Sequence, residues 1–216
     1  KPFQHKLISN NISLDKKAIE LMDGLDSYEG WFLPDTYFYE SGDSWASILQ
    51  RSHIAMMDFL NDEWENRQND LPYKNLYEAL IMASIIEKET GLASERKKIS
   101  GVFVKRLKIG MRLQTDPTVI YGMGEDFKGN LRRKDLLRDG MYNTYTRKGL
   151  PPTPISLPGK ESIHAALNPQ IGDELYFVAK GDGGHYFSKT LEEHESAVKR
   201  FQILKRTEKY KSYLQN

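Results

Sequence analysis

The sequence predicts an α+β fold that is rich in helix and carries a late β-hairpin with a small sheet. Apolar residues recur at helical spacing through much of the first half of the chain. Residues 79–86, ALIMASII, are apolar or small on every face, and residues 174–189 have the pattern of strand, turn and strand. Because helices come first, the hairpin comes late and no strand–helix–strand pattern repeats, helices and strands should be segregated in the fold.

The N-terminal part predicts two helices separated by an extended segment. Residues 13–25 have the spacing of a short amphipathic helix, and residues 29–39, EGWFLPDTYFY, are aromatic and extended with a Pro-Asp turn. A longer helix is predicted over residues 44–69, with Ser44 as its N-cap. Its predicted inner side consists of Ile48, Ile54, Met57 and Leu60.

Residues 77–90 predict the central helix of the fold, because an apolar segment without a polar face must be covered on all sides. Gly91 follows as its stop signal. The next helix is predicted over residues 94–110, capped by Ser94 and ended by Gly110. Its predicted inner stripe consists of Ile99, Val102, Phe103 and Leu107.

The second half contains shorter elements. Residues 111–122 predict an extended piece and then a short helix with Pro117 in its first turn. Residues 149–159, GLPPTPISLPG, predict a polyproline-like surface segment, and a short helix follows at 162–168. Strands are predicted at 174–180 and 185–189 around a GDGG turn. Thr190 and Glu193 form a capping box for a last helix through about residue 208.

Composition excludes several classes of function. The 216 residues carry 31 Lys plus Arg against 30 Asp plus Glu, so the net charge of +1 gives no overall footprint for nucleic acid. The chain has no cysteine, which rules out disulfides, thiol catalysis and cysteine zinc sites. Its five histidines form no HExxH motif, and no apolar run approaches the roughly 18 residues that span a bilayer. The first residues, KPFQHKL, lack Met, which suggests a piece of a longer protein.

Two acids end the apolar central helix. Glu87 and Glu89 should lie about 200° apart around the helix axis and therefore cannot share a face. The helix dipole disfavours negative charge in the last turn, and partial burial penalises it further, so both effects raise a carboxyl pKa. A raised pKa keeps the proton that a general acid donates. The alternative is two edge residues paired with Lys88 or Arg96.

The stretch ASIIEKETGLASERKKISGVFVKRLKIGMRLQTDPTVIYG closely resembles the signature of the MltG (YceG-like) endolytic murein transglycosylases. Further pieces match in the same order: EGWFLPDTY, YNTY, GLPPTPI, a PGxxSIxAAxNP pattern and LYFVAKGDGGHYFS. The resemblance implies a carbon–oxygen lyase of cell wall biogenesis that needs no metal or cofactor. It also implies residues 1–28 as the remnant of an N-terminal region and residues 29–216 as the catalytic domain.

Members of this family cut nascent peptidoglycan strands internally at the bond between N-acetylmuramic acid and N-acetylglucosamine, leaving a 1,6-anhydro end and stopping strand elongation. The resemblance therefore implies peptidoglycan as the substrate and peptidoglycan synthases as candidate partners, with no role for nucleic acid. It further implies a single-pass anchor in the bacterial inner membrane that is absent from this chain, with the catalytic domain in the periplasm.

The resemblance also separates the two acids. Lytic transglycosylases carry a catalytic Glu that a hydroxyl residue follows near a helix end, and the pair Glu89-Thr90 fits that pattern better than Glu87-Lys88. Glu89 is therefore the expected catalytic residue. Glu87, Thr90 and Arg96 are expected to lie around Glu89 and support it without contacting the substrate. Arg96 is a candidate ionic partner of Glu87.

Candidate substrate-binding residues lie on three later segments: Gln114, Thr115, Asp116, Asn143, Tyr145, His185 and Phe187. Several of them have a plainer alternative, such as turn packing for Asn143 and Tyr145. Thr115 or Asp116 is equally suited to capping the helix at Pro117, and a lone strand histidine such as His185 is more often structural. Glu95 is expected only to favour the dipole of its helix.

Two other functions compete with the lytic transglycosylase. A muramidase would use water and a second carboxylate, for which Asp116 is the best candidate. A peptidoglycan-binding scaffold for synthases would bind glycan without cleaving it.

Overall fold

The computed structural model describes residues 28–204, so the helix predicted at residues 13–25 lies outside the described residues. The α+β prediction is confirmed, because the described chain combines helices with one two-stranded antiparallel sheet. The described chain also contains a 3₁₀ turn at Gly124–Asp126 and a π-helical segment at Lys199–Leu204. The helices are α1 Trp45–Glu65, α2 Leu76–Glu89, α3 Ala93–Lys108, α4 Asp116–Met123, α5 Arg133–Leu137, α6 Lys160–Leu167 and α7 Leu191–Val198, and the strands are β1 Tyr176–Ala179 and β2 His185–Ser188.

Helix α2 forms the centre of the core, as its sequence predicts. Every residue from 79 to 86 is buried, and the helix packs against α1, α3, α4 and α6. Asn75 caps its first turn by accepting a hydrogen bond from the backbone N–H of Glu78. Because other elements cover α2 on all sides, its apolar residues lose contact with water around the whole helix.

The proline-rich segment at residues 149–159 is not the surface segment that the sequence predicts. Pro151, Pro154, Ile155 and Pro158 are buried. Ser84 of α2 holds the segment, because its hydroxyl accepts the backbone N–H of Ile155 at 3.0 Å. Proline lacks a backbone N–H and therefore brings less unpaired polarity into a core, which suits this segment to burial.

Helix α1 confirms its predicted cap but not all of its predicted inner side. Ser44 accepts a hydrogen bond from the backbone N–H of Ser47. Leu60 is buried as predicted, whereas Ile54 is 49% exposed. The buried stripe runs through residues 52, 56 and 60, which recur every fourth position, and position 54 lies on the opposite side of the helix. Ile48 and Met57 are half-buried, and the helix ends before residue 69.

Helix α3 begins differently from the prediction. Its N-cap is Leu92, no side chain caps it, and Ser94 lies exposed within the first turn. Thr90 provides the nearest support, because its hydroxyl oxygen accepts the backbone N–H of Leu92 at 3.0 Å. The predicted inner residues Ile99, Val102 and Phe103 are buried and Leu107 is half-buried, while Gly110 adopts a φ of +67° where the helix ends.

The hairpin confirms the predicted strands and turn. Strand β1 pairs antiparallel with β2, and Ala179 lies opposite His185. Thr190 and Glu193 form the predicted capping box of α7. The helix predicted through residue 208 ends at Val198 and continues as the π-helical segment, beyond which the last four of its predicted residues lie outside the described part of the chain. Within residues 28–204, no helix combines the length and apolar character that crossing a membrane requires.

Candidate active site

The hairpin, α7, the end of α2 and the segment before α4 enclose a cleft of about 500 Å³. The sequence places the candidate residues of this cleft far apart, and the fold brings most of them together. Five predicted site residues line it: Glu89, Gln114, Asp116, Tyr145 and His185. The cleft therefore combines one carboxylic acid at the end of the central helix with amide, phenol, imidazole and carboxylate groups.

Glu89 is the last residue of α2 and is half-buried at the cleft. Thr115 donates a hydrogen bond from Oγ1 to Glu89 Oε2 at 2.7 Å. Burial is the largest influence on the carboxyl and raises its pKa above the ordinary value. The Thr115 hydrogen bond opposes this rise, as do the imidazole of His185 when it is protonated and the charge of Arg106, whereas the negative charge of Asp116 adds to it. Glu89 is thus a carboxylic acid that burial favours in its protonated form and that the cleft makes accessible.

Thr115 occupies the N-cap position of α4, but its side chain does not cap that helix. Its hydroxyl instead bonds Glu89, while its backbone N–H donates to Thr144 Oγ1 at 3.1 Å. Thr118 and Thr144 join their hydroxyls at 2.8 Å, and both residues are buried. This threonine network fixes the oxygen that bonds Glu89, so the capping-only alternative does not describe the Thr115 side chain.

Asp116 and Tyr145 form a second pair at the cleft. The Tyr145 hydroxyl donates to Asp116 Oδ1 at 2.5 Å. Burial raises the pKa of Tyr145, and the hydrogen bond to Asp116 raises it further, so the phenol stays a donor at neutral pH. Gln114 precedes this pair with a φ of +49°, a conformation that residues other than glycine rarely adopt. The backbone turn at Gln114 brings Thr115 and Asp116 to the cleft in succession.

His185 lies on β2 and is held by Glu95 from the first turn of α3. The imidazole Nδ1 lies 2.8 Å from Glu95 Oε2, and the His185 backbone N–H donates to Glu95 Oε1 at 3.0 Å. The expectation that Glu95 only favours its helix dipole is therefore wrong. The two residues are 90 positions apart in sequence, so no local pattern signals this contact.

Two predicted sugar-binding residues, Asn143 and Phe187, do not line the cleft. Asn143 is buried, and its amide donates to backbone carbonyls of Leu136 and Arg138 at 3.0 and 2.7 Å while its oxygen accepts the Tyr145 backbone N–H. Phe187 packs against Phe177 and under the Lys98 ammonium, and neither Asn143 nor Phe187 lines the cleft. Their placement favours a structural role, because a fully engaged amide and a packed ring have no free group for a sugar.

The three supporting residues differ from one another in what they contact. Thr90 bonds the start of α3, as described above, and not Glu89. Glu87 Oε2 accepts the backbone N–H of Gly159 at 3.0 Å and the hydroxyl of Ser162 at 2.6 Å, at the start of α6. Arg96 forms its ion pair with Glu161, so its predicted pairing with Glu87 is wrong. Glu87 already serves the N-terminus of α6, where the helix dipole favours a carboxylate.

Several residues that line the cleft were not among the predicted site residues, and they include Arg106, Tyr176 and His194. Arg106 is buried, and its guanidinium donates to the carbonyls of Leu175 and Leu113 at 2.7 and 2.5 Å. His194 stacks on the Tyr176 ring with centroids 5.2 Å apart. A signal for Arg106 existed in the sequence, because it continues the inner stripe of Ile99 and Phe103, where a charged residue is uncommon.

Comparisons with known proteins find relatives of this chain in sequence and in fold. The sequence model of the YceG-like family matches residues 3–200. A Bacillus subtilis (strain 168) protein named endolytic murein transglycosylase is 40% identical over 175 residues, covering 80% of this chain and 48% of the relative. A Streptococcus pneumoniae (strain D39) protein of the same name is 31% identical over 177 residues, covering 79% of this chain and 31% of the relative.

A crystal structure of a yceG-like protein from Listeria monocytogenes superposes on this fold with a TM-score of 0.68 at 38% identity, covering 89% of this chain and 62% of that chain. The chain thus spans about half the length of the Bacillus relative and about a third of the pneumococcal one. Matches in sequence and in fold agree over most of the chain, and the chain belongs to the YceG-like family.

Proposed function

We propose that this chain is the catalytic part of a lytic transglycosylase that cleaves peptidoglycan between N-acetylmuramic acid and N-acetylglucosamine. The observation that carries the proposal is Glu89, a carboxyl whose pKa burial raises and which opens onto a cleft of sugar-compatible groups. The names of the Bacillus and pneumococcal relatives support murein as the substrate class.

In the proposed reaction, Glu89 donates its proton to the glycosidic oxygen, and the bond from that oxygen to C1 of the muramic acid residue breaks. The positive charge that develops at C1 is relieved when the C6 hydroxyl oxygen of the same sugar attacks. The 2-acetamido group of that sugar is suited to assist at C1. The Glu89 carboxylate takes the C6 hydroxyl proton, so the enzyme regains its starting state and the product carries a 1,6-anhydro ring. No water, metal or cofactor enters the balance, because the attacking group belongs to the substrate.

The hydrogen bond from Thr115 supports this cycle. It engages Oε2 of Glu89 and leaves Oε1 as the oxygen for the transferred proton. A bond that stabilises the carboxylate limits the rise of the pKa that burial causes, so proton donation remains feasible. Thr115 therefore acts on Glu89 in this proposal, whereas Gln114, Asp116, Tyr145 and His185 are the residues that we propose contact the glycan.

A water-using muramidase is the second candidate, and the position of Asp116 favours it. Asp116 lines the same cleft as Glu89 and so supplies the second carboxylate that such a reaction needs. Digestion of purified glycan strands followed by mass spectrometry separates the two reactions. We expect an anhydro product, which is lighter than the hydrolytic product by one water; a hydrated reducing end would contradict the proposal. Binding without any cleavage would instead indicate a scaffold for synthases.

The proposed cellular role follows from the family resemblance. We propose that the domain is anchored to the inner membrane by a preceding helix, acts in the periplasm beside peptidoglycan synthases and terminates strand elongation. The division at residue 28 remains a prediction, and the family match, which begins at residue 3, extends across it.

A further inference from the structure

The carboxylate of Glu95, which the proposed mechanism does not use, holds a residue that lines the cleft. Both oxygens of Glu95 bond the same residue: Oε1 accepts the His185 backbone N–H at 3.0 Å, and Oε2 lies 2.8 Å from Nδ1. The side chains of His185 and Glu95 are only 10% and 17% exposed. The contact is therefore shielded from water and fixes both the strand and the ring.

The surroundings restrict the ring further. Phe177 meets the imidazole edge-on with centroids 5.4 Å apart and planes at 87°. Gly184, immediately before His185, gives Glu95 its space, because a Cβ there would lie 3.1 Å from Glu95 Oε1. With Nδ1 occupied and His185 lining the cleft, Nε2 is the ring nitrogen left for a ligand.

The chemistry of the pair sets the hydrogen-bonding character of that nitrogen. An ionised carboxylate only accepts hydrogen bonds, so Nδ1 must carry a proton. In the neutral ring, Nε2 then has a lone pair and accepts a hydrogen bond.

We propose that Glu95 is a positioning residue that fixes His185 with Nε2 as an acceptor toward a hydroxyl or acetamido N–H of the bound amino sugar. This inference rests on the proposed function for the identity of the ligand. Glu95 then has a role at the cleft that is separate from the favourable charge that it brings to the start of α3. The cleft then presents two complementary groups, a protonated carboxyl at Glu89 that donates and an imidazole that accepts.

The variant Glu95→Gln tests the proposal directly. The Gln side-chain oxygen can still accept the His185 backbone N–H, but its amide presents a donor to Nδ1. The ring should change tautomer, so that Nε2 carries the proton and faces the donor group of the sugar with another donor. We expect kcat/KM for glycan cleavage to fall about tenfold to a hundredfold, the scale expected for leaving a buried polar group unpaired.

A matched control exists elsewhere in the molecule. His164 Nδ1 lies 2.8 Å from Glu63 Oε2, so the same ring nitrogen faces a carboxylate oxygen at the same distance, yet neither residue lines the cleft. Glu63→Gln should change the tautomer of His164 and leave glycan cleavage unchanged. Nitrogen-15 NMR of the imidazoles, at a pH where the rings are neutral, reports both tautomers, and His185→Gln assigns the His185 signals.

The readouts separate failure of this inference from failure of the proposed function. Wild-type His185 should show a protonated Nδ1 and a bare Nε2, and Glu95→Gln should reverse this pattern and weaken binding of purified glycan fragments. A wild-type ring protonated at Nε2, or unchanged glycan binding in a folded Glu95→Gln protein, would overturn the inference. A wild-type protein that binds glycan through this acceptor but never cleaves it would overturn the proposed lyase activity alone.

Discussion

Glu89 and Glu87 lie two residues apart on one helix but have different roles in the structure. Glu87 bonds the backbone and Ser162 at the start of α6, whereas Glu89 opens onto the cleft and bonds Thr115. The helical spacing of the two acids predicts this separation, and burial raises the pKa of Glu89 as expected. Thr115 as the partner of Glu89 was not predictable, because the contact joins residues 26 positions apart through tertiary packing.

Replacing Thr115 with Val should move the pH profile of cleavage. The hydroxyl bond favours the carboxylate, so its loss raises the pKa of Glu89 further. The protonated acid then persists to higher pH, so the alkaline limb of the plot of kcat against pH should move to higher pH. Thr115→Ser keeps the hydroxyl and should retain the wild-type limb. An alkaline limb that moves to lower pH in Thr115→Val would contradict this account of the Glu89 environment.

Whole elements were easier to predict than their ends. The apolar run of α2, the hairpin and the capping box of α7 follow from strong periodic or turn patterns, and the structure confirms them. The predictions for the cap of α3 and for an exposed proline-rich segment were wrong. The proline-rich segment depends on its contact with the distant Ser84, which a local pattern does not contain. The start of α3 is supported by Thr90, two residues before Leu92, in place of the predicted Ser94.

The contact between α2 and the proline-rich segment gives a prediction about stability. Ser84→Ala removes the acceptor of the buried Ile155 backbone N–H, and an unpaired buried donor costs about 1–3 kcal/mol. The free energy of unfolding in urea should fall by that amount. Ser94→Ala is the matched control, since Ser94 is exposed and caps nothing, and it should change stability by less than about 0.5 kcal/mol. Equal losses in the two variants would show that Ser84 does not hold the segment.

Gly101 allows α3 to lie close to the chain that follows α6. A Cβ at Gly101 would lie 2.0 Å from the Gln170 backbone oxygen, so the two segments must separate in Gly101→Ala. We expect the free energy of unfolding to fall by about 1–3 kcal/mol, although alanine has a better helix propensity than glycine. Gly91→Ala meets no atom within 4 Å and should stay close to wild type in thermal unfolding. A stabilised Gly101→Ala protein would contradict the packing described here.

At the scale of the whole molecule, the fold places a buried acid where the central helix ends and surrounds it with residues from other elements. The sequence predicts the helix and the acid, and it offers four of the other cleft residues as candidates: Gln114, Asp116, Tyr145 and His185. His194 was placed at the cleft only by the tertiary structure, whereas Arg106 had a signal in the inner stripe of α3. The arrangement has a consequence for folding, because a carboxyl whose pKa is raised in the folded protein binds its proton more tightly there than in the unfolded chain.

Stability should therefore depend on pH through Glu89. The folded protein binds more protons than the unfolded chain between the ordinary pKa of 4.5 and the raised pKa, so this contribution is present below 4.5 and is lost as the pH rises through the raised value. Glu89→Gln lacks this loss and should gain in melting temperature relative to wild type as the pH increases toward neutrality. A difference in melting temperature that is constant with pH would show that the Glu89 pKa is not raised.

Cleavage of purified glycan strands by wild type, Glu89→Gln and Glu87→Gln, with products identified by mass spectrometry, tests the central claim most directly. The amide introduced by Glu89→Gln cannot donate a proton to the leaving oxygen, so cleavage should fall by at least about 10²-fold while the fold is retained. Glu87→Gln keeps an acceptor for the start of α6 and should retain substantial activity. Full activity in Glu89→Gln, or loss of activity confined to a folded Glu87→Gln protein, would contradict the assignment of the catalytic acid.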